Sequence, residues 1–450
     1  MKTLAGLAVF CGLAAAATAP EPELHIPFEK YKLANGMRVV LTRDTSLPIS
    51  AVYLIFDAGA RSDDKDHAGY AHLMSRLMFE GSANVKKGEY ARSIQANGGT
   101  FNGGDHPDYA DFSSVMPSNK LALALWLEAD RMRNPEITEE KLKAAKEAIA
   151  NERAALRNQP YREAMLDKWP QTVFADIRDS RPMLSGLGSI EGVTVAEAAK
   201  SFRTDYAPNN AVLVISGDFT VSDAKKLVDQ NFGTIPAQPQ PKRSDIVEPE
   251  RTQGVHGEFA DAHARFPAVI AGWPAPRRHT MDWYALQLLD ALLTLGKGSK
   301  IEVELMRGRQ SILQADENLG FPLATALDYR DPGYFAILLV HKATFTGAEI
   351  VRQYEDILES IANSGVDSVE GLRMRSAIRY DRALEAQTAL GRARLLGIHE
   401  MIDGDAGFTD RDYAALMSIT PQQLRGAISK YLTQSRADVL TIRPTAGASR

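Results

Sequence analysis

The residue types that bear on chemistry gather in one stretch, AGYAHLMSRLMFEGS over positions 68–82. Inside it lies His72-Leu73-Met74-Ser75-Arg76. On a helix, positions 72 and 76 stack on one face, so both side chains can point at a common atom. Two imidazoles so placed, with a glutamate just before the second, form the metal clip His-x-x-Glu-His, in which the carboxylate activates a metal-bound water. Here the first imidazole is kept as His72. Ser75 stands at the general-base position, and Arg76 at that of the second ligand.

Both substitutions remove chemistry. A catalytic zinc site takes three protein ligands and leaves a fourth position open for water. A guanidinium is always protonated and carries donors only, so Arg76 cannot coordinate a cation, and its charge opposes one nearby. The Ser75 hydroxyl takes no proton from water near neutral pH without a partner base, and loss of a general base costs about 10²- to 10⁴-fold in rate. His67, five residues before His72, points elsewhere on a helix. Asp105, His106 and Asp108 follow a glycine-rich segment, from which Asp105 or His106 could supply a replacement ligand, although a loop histidine is more often an exposed polar residue.

The elements that would position these groups belong to an ordinary globular chain of 450 residues, 44% hydrophobic and 24% charged, which suggests two or more domains. A formal charge of −5 with interspersed signs offers no basic face, so no nucleic-acid partner is expected. Residues 1–19 combine a positive start, an apolar run over 4–16 and a small-residue end, which predicts a signal peptide and an exported, periplasmic or extracellular protein. No later run reaches the roughly 18 apolar residues a spanning helix needs, so no stable membrane insertion is expected. The only cysteine, Cys11, lies within that signal, which excludes disulfides and thiol chemistry from the mature chain.

An Asn35-Gly36 pair between apolar runs predicts a β-hairpin, and residues 51–56 a strand. Gly pairs at 98–99 and 103–104 bracket a short extended piece that another backbone can approach closely. Helical spacing marks 119–132 and 138–157, and Thr194 with Glu197 makes a capping box ahead of a helix to Tyr206. A strand follows at 211–216. At 236–253 the composition turns to Pro and Gln, then to charges, and reads as a semi-rigid linker. Beyond it the pattern returns. Ala268-Val269 matches Ala51-Val52 at an offset of 268 − 51 = 217, and Thr420 to Tyr431 repeats Thr194 to Tyr206 at 420 − 194 = 226. The chain is therefore expected to hold two copies of one α+β domain, at 24–235 and 254–445.

Together, Asn35-Gly36, Ala58–Ser62, Gly69–Met74, Phe79–Ser82, Asn97–Thr100, Asn151–Arg153 and Tyr206–Asp218 resemble the pitrilysin/insulinase family of zinc metallopeptidases, in particular short bacterial members similar to mitochondrial processing peptidase subunits. The resemblance implies two tandem α/β sandwich domains facing each other. It also implies that zinc is the family's cofactor and that Glu152, 152 − 72 = 80 residues after His72, matches the third ligand. In this copy His72 and Glu152 would be vestigial ligands, with zinc not expected to bind, and Arg76 could pair with Glu152 in place of the ion. A substrate-gripping Arg and Tyr of the family match Met306 and Leu313, so neither type is kept; an alignment slip of one sets Arg307 against Gln314, which still lacks the Tyr. The family's substrate-pairing strand matches Gly99, Thr100, Phe101 and Asn102. The expected protein is a non-catalytic, peptide-binding subunit beside a paralogous zinc-bearing chain. Its alternatives are a weak zinc peptidase using His72, Glu152 and a loop ligand, and a structural scaffold subunit.

Overall fold

The computed structural model describes residues 24–445 apart from 64–65, 182, 184–187, 241–242, 244, 321, 323–324 and 331–332. The signal segment 1–19 and Cys11 lie outside the described residues.

Two mixed sheets carry the fold. The first contains β1 (Glu29–Lys32), β2 (Arg38–Arg43), β3 (Ile49–Phe56), β4 (Thr100–Asp105), β5 (Ala110–Pro117) and β6 (Ala211–Gly217), in the order β1-β2-β6-β3-β5-β4. The second contains β7 (His256–Asp261), β8 (Ala268–Pro274), β9 (Ile312–Leu319), β10 (Tyr334–His341) and β11 (Asp438–Pro444), in the order β7-β11-β8-β10-β9. Without β1 the two orders are the same, and in each only one pair is parallel, β2 with β6 and β7 with β11. The registers repeat as well. Ala51 lies opposite Val115 and Ser216, and Ala268 opposite Val340 and Ile442. The internal repeat read from sequence is thus a repeat of topology and pairing. The Asn35-Gly36 turn joins β1 to β2, with Gly36 at φ +92°, a left-handed value that glycine adopts without strain.

Alternation along β3 shows how the layers are built. Val52, Leu54 and Phe56 face a core shared with helices Tyr70–Leu77, Leu121–Arg133 and Val195–Asp205. Tyr53 and Ile55 face the other way, onto a helix from the far end of the chain, Ala389–Ile402. That helix comes close because position 397 is glycine: a Cβ there would lie 2.7 Å from a Tyr53 ring carbon. The exchange is reciprocal. A short π-helical turn, Ala164–Lys168, and the helix Trp169–Val173 bring Met165, Leu166 and Trp169 against Ala268, Ile270, Ala336 and Leu338 of the second sheet. Met281–Thr294, Gly347–Ser364 and Pro421–Tyr431 cover that sheet's other face. Each sheet is therefore sandwiched by helices, one of which the other half supplies. Its central strands read as unbroken apolar runs because both faces are covered.

The described residues of 236–253 are tied to the first half, and Arg251 also to Tyr334 and Asp438 of the second. Gln238 N donates to Asn209 at 2.9 Å, Glu248 accepts from the backbone N–H groups of Ala175 and Asp176, and Arg251 donates to the Val173 carbonyl at 2.8 Å. No helix among the described residues is long and apolar enough to cross a membrane.

Candidate functional site

The helix bearing His72 runs only from Tyr70 to Leu77, shorter than the 68–82 stretch suggests. The chain leaves it through a turn at Phe79 and Glu80 to Gly81, at φ +95°. Its start is capped by Asp63, which accepts from the N–H groups of Gly69 (2.9 Å) and Ala71 (3.2 Å). Burial pushes the Asp63 carboxyl up to about 8 against those bonds. Leu73, Met74 and Leu77 fill the core, which turns His72 and Arg76 toward β4 and the helix Glu139–Arg157. On that second helix, capped by Thr138, Leu142, Ala145 and Ile149 face inward and Glu152 projects to meet them.

Two groups converge on the Glu152 carboxylate. The Arg76 guanidinium donates to Oε2, and His72 Nε2 lies 3.5 Å from the same oxygen. On the other side of the imidazole, Nδ1 is 2.6 Å from Asp105 Oδ1. Ser75 Oγ donates to the His72 carbonyl (2.9 Å) and to Asp105 (3.1 Å), so the hydroxyl does not face Nε2 and forms no nucleophile–base pair with it. Burial works against a charged imidazole, but bonds to Asp105 and Glu152 outweigh it and push His72 up to about 9. His72 in turn holds Glu152 below the usual carboxylate range, with Arg76 adding to the effect.

This donor set does not fit a catalytic metal. His72 Nε2 and Glu152 supply two ligands where three are needed, and the guanidinium is bonded to the Glu152 oxygen nearest His72. Asp105 spends its carboxylate on His72 Nδ1 and Ser75. His106 turns away, its Nε2 3.2 Å from Asp111 and its ring stacked on Tyr109. Among the described residues no three His, Cys, Asp or Glu side chains assemble in a way that could hold a metal ion. His67 packs edge-on against Tyr70.

The glycine-rich segment forms β4, the outermost strand of its sheet. Thr100 and Asn102 are exposed on it. Phe101 packs into the rings of Phe79 and Tyr90, and Gly99 precedes the strand, buried where a Cβ would lie 2.8 Å from Ile94 and Met116. Gly99 and the Phe101 side chain are thus held by packing, so 99–102 offers a ligand its backbone edge and the exposed Thr100 and Asn102 side chains. In the second half, Met306 packs part-buried against the core, and Leu313 of β9 is 38% exposed.

Sequence reasoning missed what the second half contributes. A cavity of about 280 Å³ opens beside His72 and Glu152, walled by Leu156 and Phe174 from the first half and by Tyr329 and Tyr334 from the second. Arg61 links the halves from deep inside: it meets Asp108 at 3.0 Å and Asp179 at 3.2 Å, and donates to the Arg330 carbonyl at 2.7 Å. Arg330 reaches back to Asp57 at 2.9 Å. These partners lie 47 to 273 residues apart, so no local pattern could have paired them.

Comparison with known proteins places this geometry. The family model for insulinase, peptidase family M16, matches residues 38–185, and that for the M16 inactive domain matches 192–375. An uncharacterized zinc protease of Mycobacterium bovis is 22% identical over 94% of this chain and 95% of its own length. A probable mitochondrial-processing peptidase subunit beta of Arabidopsis thaliana is 22% identical over 69% of this chain and 59% of its own. Among solved structures, a protease from Helicobacter pylori superposes with a TM-score of 0.86 at 18% identity, covering 93% of this chain and all of that one. An M16 inactive domain from Pseudomonas fluorescens gives 0.80 at 20% identity, over 94% and 98%. With both halves matched in sequence and the duplicated architecture shared throughout, the chain belongs to the insulinase family of peptidases, family M16.

Proposed function

We propose that this chain is a catalytically degenerate member of its family, an exported subunit that binds peptide without cleaving it, beside a paralogous chain whose metal motif is intact. One observation carries the reading: the guanidinium of Arg76 rests on Glu152, on the side from which a second imidazole would join His72 and Glu152 around an ion. A cation fixed by covalent attachment satisfies the carboxylate that zinc would otherwise neutralise, and it repels a second cation.

Peptide capture does not need the metal. The outer edge of β4 is unpaired among the described residues and presents backbone donors and acceptors to which an extended peptide can add as a further strand. The cavity beside it gives a side chain of that peptide an apolar wall. The assembly part of the proposal draws on relatives named as subunits of mitochondrial-processing peptidase, and the export part on the character of residues 1–19.

The test uses purified protein, a quenched fluorogenic peptide, zinc and a chelator. The chain alone is expected to release no product in either condition and to bind the extended peptide equally well with and without the chelator. Hydrolysis that the chelator abolishes and zinc restores would overturn the proposal.

A further inference from the structure

Arg61, Arg153, Arg178 and Arg181 all line the cavity beside His72 and Glu152. Three of these arginines are answered by aspartates. Arg61 meets Asp108 and Asp179, Arg178 meets Asp176 at 2.7 Å, and Arg181 lies 3.9 Å from Asp63. Arg153 is not answered. Its Nη1 is buried without a hydrogen-bond partner, and among the described residues no carboxylate comes within ion-pair distance of the guanidinium. The carboxylates of the site are already engaged, Asp105 by His72 and Ser75, and Glu152 by Arg76 and His72. Taking a cation part-way out of water without a counter-charge is unfavourable, and a buried donor left unbonded calls for a partner.

The surroundings say what kind of partner fits. Arg153 and Leu156 are three residues apart on the helix Glu139–Arg157 and share a face. Beyond Leu156 the wall is apolar, made by Leu166 and by Phe174 paired with Tyr334 at 5.1 Å between ring centroids. The guanidinium also lies against the start of the His72 helix, where Gly69, at φ +88°, leaves it room: a Cβ there would be 3.4 Å from Nη2. At about 280 Å³ the cavity is near the lower end of the roughly 300–1,000 Å³ typical of small-ligand pockets, room for one or two residues of an extended chain.

We propose, resting on the peptide-binding reading above, that the cavity takes a peptide carboxylate lying next to an apolar side chain. The Arg153 guanidinium holds the carboxylate through its forked donors, and Leu156, Phe174 and Tyr334 cover the apolar part. Two sources supply this chemistry: the C-terminus of a peptide that ends in an apolar residue, and an acidic side chain adjacent to one.

The experiment is fluorescence anisotropy with the purified chain and three N-terminally labelled peptides of one extended sequence, with a chelator present so that no metal-dependent cleavage intervenes. The first peptide ends in Phe with a free carboxylate. The second carries an internal Glu-Phe pair and a C-terminal amide, and the third has Gln-Phe and the amide. At least one of the two carboxylate peptides is expected to bind about tenfold or more tightly than the third, and which one does so identifies the source. Arg153→Gln is expected to erase that difference without weakening the third peptide or lowering the melting temperature, because the guanidinium has no internal partner to lose. Equal binding of all three, binding of none, or a preference that survives Arg153→Gln overturns the proposal. So does an Arg153→Gln variant that loses all three peptides together with a lowered melting temperature, the mark of a structural role. Product release measured in parallel without chelator tests the non-catalytic reading by itself: chelator-sensitive hydrolysis sinks that reading, and the carboxylate preference is still decided by the binding data.

Discussion

Arg76→His is the perturbation that bears most directly on the site, because it exchanges a covalently held cation for a ligand without touching the core. The guanidinium is 42% exposed and its partner Glu152 36% exposed. Solvent screens such a pair, and losing it costs at most about 1 kcal/mol. In return, an imidazole at 76 joins His72 and Glu152, one helical turn away and across from it, completing the three-ligand set a zinc site needs. Zinc at about a hundred times its dissociation constant would then stabilise the fold by about 2.7 kcal/mol. At the roughly 2–4 °C per kcal/mol expected for domains of this size, added zinc should raise the melting temperature of the variant by roughly 5–10 °C. A chelator should reverse the rise, and the wild type should show none. Calorimetric titration supplies the second readout: one zinc per chain in Arg76→His, none in the wild type, and none in Arg76→His combined with His72→Ala. A wild type that itself takes up one zinc, or an Arg76→His variant that takes up none, would refute the argument that the guanidinium stands in for the ion.

Other perturbations test the fold that holds the site. Trp169→Ala leaves a large void between the first half's helix and the second sheet and should cost about 3–5 kcal/mol; denaturant unfolding should show both halves weakened together, not the first alone. Arg61→Met strips the partner from two enclosed carboxylates, Asp108 and Asp179, and should cost about 3–5 kcal/mol in the same assay. His279 sits between Asp403 (2.8 Å) and Asp412 (3.0 Å) at φ +62°. Burial would lower its imidazole, but those carboxylates push it up to about 9. Its stabilisation is therefore complete below the unfolded value near 6.5 and is lost as pH rises through about 9. Discounted for partial exposure, this amounts to about 1–2 kcal/mol, and His279→Gln should flatten stability against pH across that window.

Where an element is defined by neighbours in sequence, the chain announces it. The capping boxes at Thr194 and Thr420 form as their Glu197 and Gln423 partners imply, and the Asn35-Gly36 turn and the strand at 211–217 fall where their residues set them. The repeat was legible because both halves keep the same punctuation at nearly constant offset. The exchange of helices between the sheets was not. Unbroken apolar runs such as 51–56 and 334–340 state that both faces of a strand are covered, but nothing nearby says which helix covers them. At the site, spacing on one helix identified His72 and Arg76 as neighbours. Glu152, 80 residues on, came only through resemblance, and the clasp of Asp105 on His72 depends on how β4 is aimed, which no residue type specifies.

Because each sheet borrows one of its coats from the other half, neither half is a self-sufficient folding unit. A single repeat expressed alone would leave Tyr53 and Ile55, or Ala268 and Ile270, bare to water, and would be soluble only by lending its own long arm to a twin and receiving one back. The smallest viable version of this architecture is thus a mutual embrace, and the peptide running through 236–253 joins two bodies that would have to clasp each other even if it were cut.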